Sequence, residues 1–170
     1  PLKWATNTGW SMVNGVTASM SKSVSVVGSG FRAARCALTL AEMGIQVELI
    51  TPFHSLDRDR IEDTQALSHE YMHIWPLLLR AASHPRIKLY TNSIVKDVTG
   101  QPGEMTVRVQ KNPRYVKEDI CTGCGKCEEE CSVKVQTRIG THKITHGAVH
   151  SPVLTAKSVP SAYFIDKQGI

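Results

Sequence analysis

The chain has 170 residues, 41% hydrophobic and 21% charged, and its 20 Lys and Arg against 15 Asp and Glu leave a net charge of +5. That length suits one compact domain, with or without a small insert, and excludes a large multidomain enzyme within this chain. No apolar run approaches the roughly 18 residues that span a bilayer, and the basic residues are scattered with few aromatics among them, so neither membrane insertion nor nucleic-acid binding is expected.

Residues 1–22 are polar, broken by glycines and without the apolar core of a signal peptide, which reads as an exposed lead-in. The chain opens on Pro1 rather than Met, the expectation being a processed product or a fragment. A β-branched run, Ser21 to Val27, then stops at Gly28 as a buried strand entering a turn would. Phe31 to Met43 carries apolar residues at helical spacing in Ala-rich sequence, with Gly44 where a helix stops. Ile45 to Thr51 is a second strand, so these elements form a βαβ unit with parallel strands. Asp59 to Ser83 reads as one long helix or two shorter ones, with Pro76 expected to kink or interrupt it. Ile87 to Thr91 is a third strand, and Ser93 to Val98 with Met105 to Val109 form a hairpin around GQPGE. The tail from Gly140 mixes short β-prone stretches with Gly and Pro.

Four of the five cysteines crowd into CTGCGKCEEECS at 121–132. A disulfide framework spreads its cysteines, so this clustering points to a metal site in a reducing, cytoplasmic compartment. Thiolates are soft anionic ligands, and the spacing C-x2-C-x2-C wraps one loop around three corners of a 4Fe–4S cluster. In ferredoxin-type runs the Cys three residues further on serves another cluster, so Cys121, Cys124 and Cys127 are expected to share one and Cys131 to stand apart. Gly123 and Gly125 permit left-handed backbone and bring N–H groups toward sulfur. A structural zinc site is the alternative, but zinc motifs generally separate two Cys pairs by a dozen or more residues. Cys36, inside the βαβ helix, is expected to be a buried small apolar side chain.

Gly28-Ser29-Gly30-Phe31-Arg32-Ala33 fits G-x-G-x-x-G/A directly after a strand and at the mouth of a helix, the context in which that pattern cradles a dinucleotide pyrophosphate. The acid that would accept from the adenosine ribose about twenty residues on is replaced by Thr51. The alternative is a βαβ turn that binds nothing.

Taken together, these residues resemble a known family, the flavin- and iron–sulfur-bearing A subunits of heterodisulfide reductase. The resemblance rests on SVSVVGSGFRAARCALTLAEMGIQVELI, on HPRIKLYTNSIVKDVTG and above all on NPRYVKEDICTGCGKCEEECSVKV. It implies an α/β fold, a partial thioredoxin-reductase-like FAD domain at 23–113 with a small ferredoxin-type α+β segment at 114–170. It further implies FAD at Gly28, Ser29, Gly30, Ala33 and position Thr51, and a 4Fe–4S cluster on Cys121, Cys124, Cys127 and Cys131. Other redox subunits of a heterodisulfide-reductase-like complex, or a remainder of the polypeptide, are the implied partners. This chain departs from the family in lacking the glycine-rich loop after the second strand, where it has PFHSLDRDR. A cluster-only carrier with a decayed flavin site is the runner-up.

His142, His146 and His150 recur every fourth residue, but glycines flank them and no acid lies near, so a surface loop is expected rather than a metal site. His69 and His73 read as ordinary helix packing, and Glu128 to Glu130 as a solvated face. There is no nucleophile elbow and no phosphate-binding lysine motif, so no general base or catalytic residue is assigned.

Overall fold

A computed structural model describes residues 2–3, 6–11, 17–21, 23–57, 70–139, 142–152 and 158–167. Its centre is a parallel three-stranded sheet in the order β4 (Ser23–Val27), β5 (Gln46–Ile50) and β6 (Ile87–Tyr90). Between β4 and β5 runs helix α1 (Gly30–Glu42), and α2 (Glu70–Ser83) precedes β6. The alanines of α1 make this arrangement close-packed. Ala33, Ala34, Ala37, Leu38 and Ala41 fall on one buried face against Val47 and Leu49 of β5, Leu78 and Ala81 of α2 and Ile87 of β6. Gly44 ends α1 at φ +89°, a conformation costly for any residue with a Cβ, with its N–H on Ala41 O at 3.0 Å.

The same helix face explains why Cys36 is exposed, against the expectation of burial. It lies between the buried positions 34 and 37 in sequence but on the opposite side of a 3.6-residue helix. The helix expected over Asp59 to Ser83 is described only from Glu70, its earlier part and His69 lying outside the described residues, as does the side chain of His73. Pro76 does not interrupt α2. It is exposed while Leu78 and Ala81 are buried, so the missing ladder bond falls on the solvent side and core packing carries the helix through.

β7 (Ser93–Gln101) and β8 (Glu104–Lys111) form the expected hairpin, longer than its apolar pattern and with a register shift between Val95 and Asp97. β1 (Leu2–Lys3) adds to β8, and β2 (Thr6–Ser11) pairs with β3 (Thr17–Ser21). The cysteine segment follows as a loop, the single turn α3 (Lys126–Glu129) and an antiparallel pair, β9 (Lys134–Ile139) with β10 (His142–Gly147). β11 (Val149–His150) pairs with β12 (Phe164–Ile165).

The histidine stretch expected as a surface loop is therefore carried by two strands, β10 and β11. Its register, His146 opposite Val135, takes the chain inward, and His146 and His150 are buried. Their rings lie 4.1 Å apart, and that of His150 lies 4.4 Å from Phe164. The side chain of His142 is outside the described residues. No helix among the described residues is long and apolar enough to cross a membrane.

Candidate functional site

The cysteine loop is built by glycine. Gly123 has φ +67° and a Cβ there would stand 2.8 Å from Ser161 O; Gly125 has φ +85° and its Cβ would reach Tyr163 Oη at 3.4 Å. Both are left-handed positions closed over by the tail strand, as expected from the sequence. Gly125 O then accepts from the N–H of Glu128 at 2.9 Å and starts the turn α3, on which Cys127 sits.

The surroundings of the thiols shift them in different directions. The Lys126 N–H and the Thr122 hydroxyl hold the Cys124 thiol below the ordinary thiol range. Burial pushes Cys127 up, and the neighbouring Cys121 and Cys124 add to this because three thiolates crowded together disfavour one another's charge. Cys131 is lowered, chiefly by the N–H of Val149 and then by those of Val133 and Ala148. Its Sγ lies 3.2 Å from Val133 O, and Gly147 leaves room for it, a Cβ there falling 3.0 Å from Cys131 Cβ. Cys121 and Cys124 thus lie near enough to Cys127 to bear on its charge, while Cys131 is influenced by the backbone of Val149, Val133 and Ala148 and by the Lys134 ammonium.

Among the described residues no three His, Cys, Asp or Glu side chains close together as a metal ion requires. A single zinc ion binds thiolates at about 2.3 Å and draws them into one small tetrahedron, whereas a cubane takes one thiolate per iron corner and spaces them wider. Soft thiol donors on a loop shaped by Gly123 and Gly125 are the donor chemistry a cluster takes.

At the glycine turn strand β4 passes directly into helix α1. Gly28 N–H is donated to Ile50 O at 2.9 Å, and a Cβ at Gly28 would come within 3.3 Å of Ala33 Cβ, so strand and helix meet closely only because both residues are small. Gly30, at φ +68°, opens α1. These features fit a pyrophosphate on the helix N-terminus, but the Gly30 N–H is already donated to Leu56 O at 2.6 Å. Thr51 is fully buried at the end of β5, its Oγ1 accepting from Phe53 N–H at 3.4 Å.

Arg114 has no motif to announce it, yet it joins the two regions. It is buried, with Nη1 donating to Ala162 O at 2.7 Å, Nη2 donating to Thr91 Oγ1 at 3.1 Å and to His54 O, and Nε 2.8 Å from Glu118 Oε1. Burial lowers its pKa. Burial alone would raise Glu118, but the Thr91 hydroxyl and the charges of Arg114 and Lys111 outweigh it and hold that carboxyl below the usual range. The run NPRYVKEDIC contains both residues, and the signal it carries is an Arg and a Glu four apart just before the first cysteine.

No protein-family model matches the chain. It is similar to one of the iron-sulfur A subunits of CoB--CoM heterodisulfide reductase from Methanopyrus kandleri, 34% identical over 145 residues, which cover 82% of this chain and 22% of that protein. It is also similar to the A subunit of the H(2)/formate:CoB-CoM heterodisulfide,ferredoxin reductase of Methanococcus maripaludis, 34% identical over 150 residues, covering 86% of this chain and 22% of that protein. The A subunit of the Ferredoxin:CoB-CoM heterodisulfide reductase of Methanosarcina acetivorans is 31% identical over 148 residues, covering 83% of this chain and 18% of that protein. The chain thus spans about a fifth of the length of the curated relatives it matches. Among solved structures, a thioredoxin reductase from Gloeobacter violaceus aligns with a TM-score of 0.34 and 24% identity, covering 52% of this chain and 23% of that one.

Proposed function

From the premise that the chain belongs, as a homologue of one segment, to the family of heterodisulfide reductase A subunits, we propose that it is an electron-transfer component of a heterodisulfide-reductase-like oxidoreductase. In this reading Cys121, Cys124 and Cys127 hold a 4Fe–4S cluster, Cys131 ligates separately, and Gly28, Ser29, Gly30, Ala33 and the Thr51 position receive FAD. FAD supplies two-electron exchange and the cluster one-electron exchange.

The observation that carries the reading is the cysteine loop itself, bent by Gly123 and Gly125 in left-handed backbone, with Cys121, Cys124 and Cys127 along it. The chain's own work is to hold the thiolates and to fix the cysteine segment to the α/β body through Arg114. Units 1–22, 23–113 and 114–170 are the proposed division into lead-in, partial flavin domain and cluster segment. Redox partners and a cytoplasmic location belong to the same proposal.

A second reading, a cluster-only carrier, is favoured by one observation, the Gly30 N–H already engaged by Leu56. Anaerobic reconstitution followed by a potentiometric titration, read by electron paramagnetic resonance, tests the proposal. A reversible one-electron signal that disappears in Cys124→Ala supports it. A folded chain that shows no such signal after reconstitution overturns it. Flavin released on denaturation separates the first reading from the second.

A further inference from the structure

The segment from Pro52 to Asp57 reads in sequence as a loop standing where the family has glycines. In the structure its first residue, Pro52, is exposed and its second half turns inward. Ser55 and Leu56, like Thr51 just before them, are fully buried, and Asp57 is 4% exposed. Leu56 packs in the same core cluster as Ala33, Ala34 and Ala37 of α1, and Val159 of the tail joins that cluster.

Its backbone links both sides. Leu56 O accepts from the Gly30 N–H at 2.6 Å, and Leu56 N–H donates to Val159 O at 2.8 Å. Two residues earlier, His54 stacks on Phe164 with centroids 3.8 Å apart and offers its carbonyl to Arg114. A few residues before Phe164 the same tail covers the cysteine loop, with Ser161 over Gly123 and Tyr163 over Gly125.

We propose that residues 52–57 are a strap that occupies the dinucleotide place in the flavin-free chain, so that FAD binds at the glycine turn only by displacing Leu56, and that the strap's release loosens the tail over the cysteine loop. The inference rests on the flavin reading above. With the Gly30 N–H turned onto Leu56 O at 2.6 Å, a phosphate oxygen gains a full hydrogen bond there only at the strap's expense, so strap and FAD compete for it. A ligand shifts such an equilibrium only by its preference for one state, and the coupling is reciprocal. Whatever stabilises the docked tail weakens FAD, and FAD weakens tail docking to the same degree.

The test uses the whole chain, titrated anaerobically with FAD and followed by flavin fluorescence, alongside hydrogen exchange at the Gly30 and Leu56 amides. Without FAD both amides exchange slowly. On adding FAD the Leu56 amide, no longer held by Val159, exchanges at least tenfold faster. Leu56→Gly tightens FAD at least tenfold, and His54→Ala, which loosens the strap without opening the core, tightens it severalfold should Leu56→Gly fail to fold. FAD bound with the Leu56 amide still protected overturns the proposal. So does FAD that the whole chain binds and that a folded strap variant binds no more tightly, whereas no FAD bound by the whole chain or by either variant overturns the flavin reading on which the strap rests. Iron and sulfide measured on the same samples report the cluster assignment independently, so loss of that assignment is not confused with failure of the strap.

Discussion

Replacing Arg114 by alanine removes one side chain that ties three stretches of chain together. The residue is only 4% exposed. It donates to Ala162 O, to Thr91 Oγ1 and to His54 O, and faces Glu118 at 2.8 Å. In Arg114→Ala the two carbonyls lose a charged donor, each such bond contributing about 1.5–3 kcal/mol. Glu118 also keeps a half-buried charge without its main counter-ion, and breaking a buried pair from one side costs about 3–5 kcal/mol. These contributions share partners and do not add, so the expected loss is about 3–5 kcal/mol, with the tail released from the cysteine loop. Arg114→Lys keeps the charge but not the planar fork that spans His54, Ala162 and Glu118 at once, and its stability falls between those of Arg114→Ala and the unaltered chain. Urea unfolding under anaerobic conditions measures the loss, and bound iron per chain measures the release. A loss under about 1 kcal/mol in Arg114→Ala, below the usual scale for one charged hydrogen bond, would refute the argument that this residue joins the two regions.

Because the folded-state pKa of Glu118 lies below its ordinary value, its contribution to stability is complete at pH above that ordinary value and is lost as pH falls through the folded one; Glu118→Gln flattens this acid limb in a pH series of urea midpoints. Gly123→Ala, with a Cβ 2.8 Å from Ser161 O and φ +67°, loses more stability and more iron than Gly125→Ala, which meets Tyr163 Oη only at 3.4 Å; left-handed backbone costs each about 1–2 kcal/mol, and thermal melts with iron assays rank them. Cys36, exposed on α1, reacts with a thiol reagent in the intact folded chain, and Cys36→Ser leaves iron content unchanged.

The α/β body is legible in the sequence because its signals are local. An alanine face at helical spacing, β-branched runs on either side and Gly44 at the helix end all act within a few residues. The same holds for Gly123 and Gly125, whose left-handed backbone follows from the chain bending around its own cysteines. What the sequence hides depends on partners far along the chain. PFHSLD has the polar, proline-led composition of a surface loop, yet Leu56 finds α1 and Val159 and drags its neighbours inside. His146 and His150 have a loop's signature because glycines flank them, but the pairing of β9 with β10 and the ring of Phe164 give them somewhere to be buried. Arg114 carries no motif at all, since its acceptors His54, Thr91 and Ala162 come from three separate stretches.

The most direct test of the electron-transfer account is an anaerobic ultraviolet–visible spectrum of the purified chain with iron and acid-labile sulfide quantified on the same sample. The account predicts a broad iron–sulfur absorbance that bleaches on reduction, with iron and sulfide in near-equal amounts that fall away in Cys124→Ala. A folded, reconstituted chain that binds zinc through these cysteines and retains neither iron nor sulfide would contradict it.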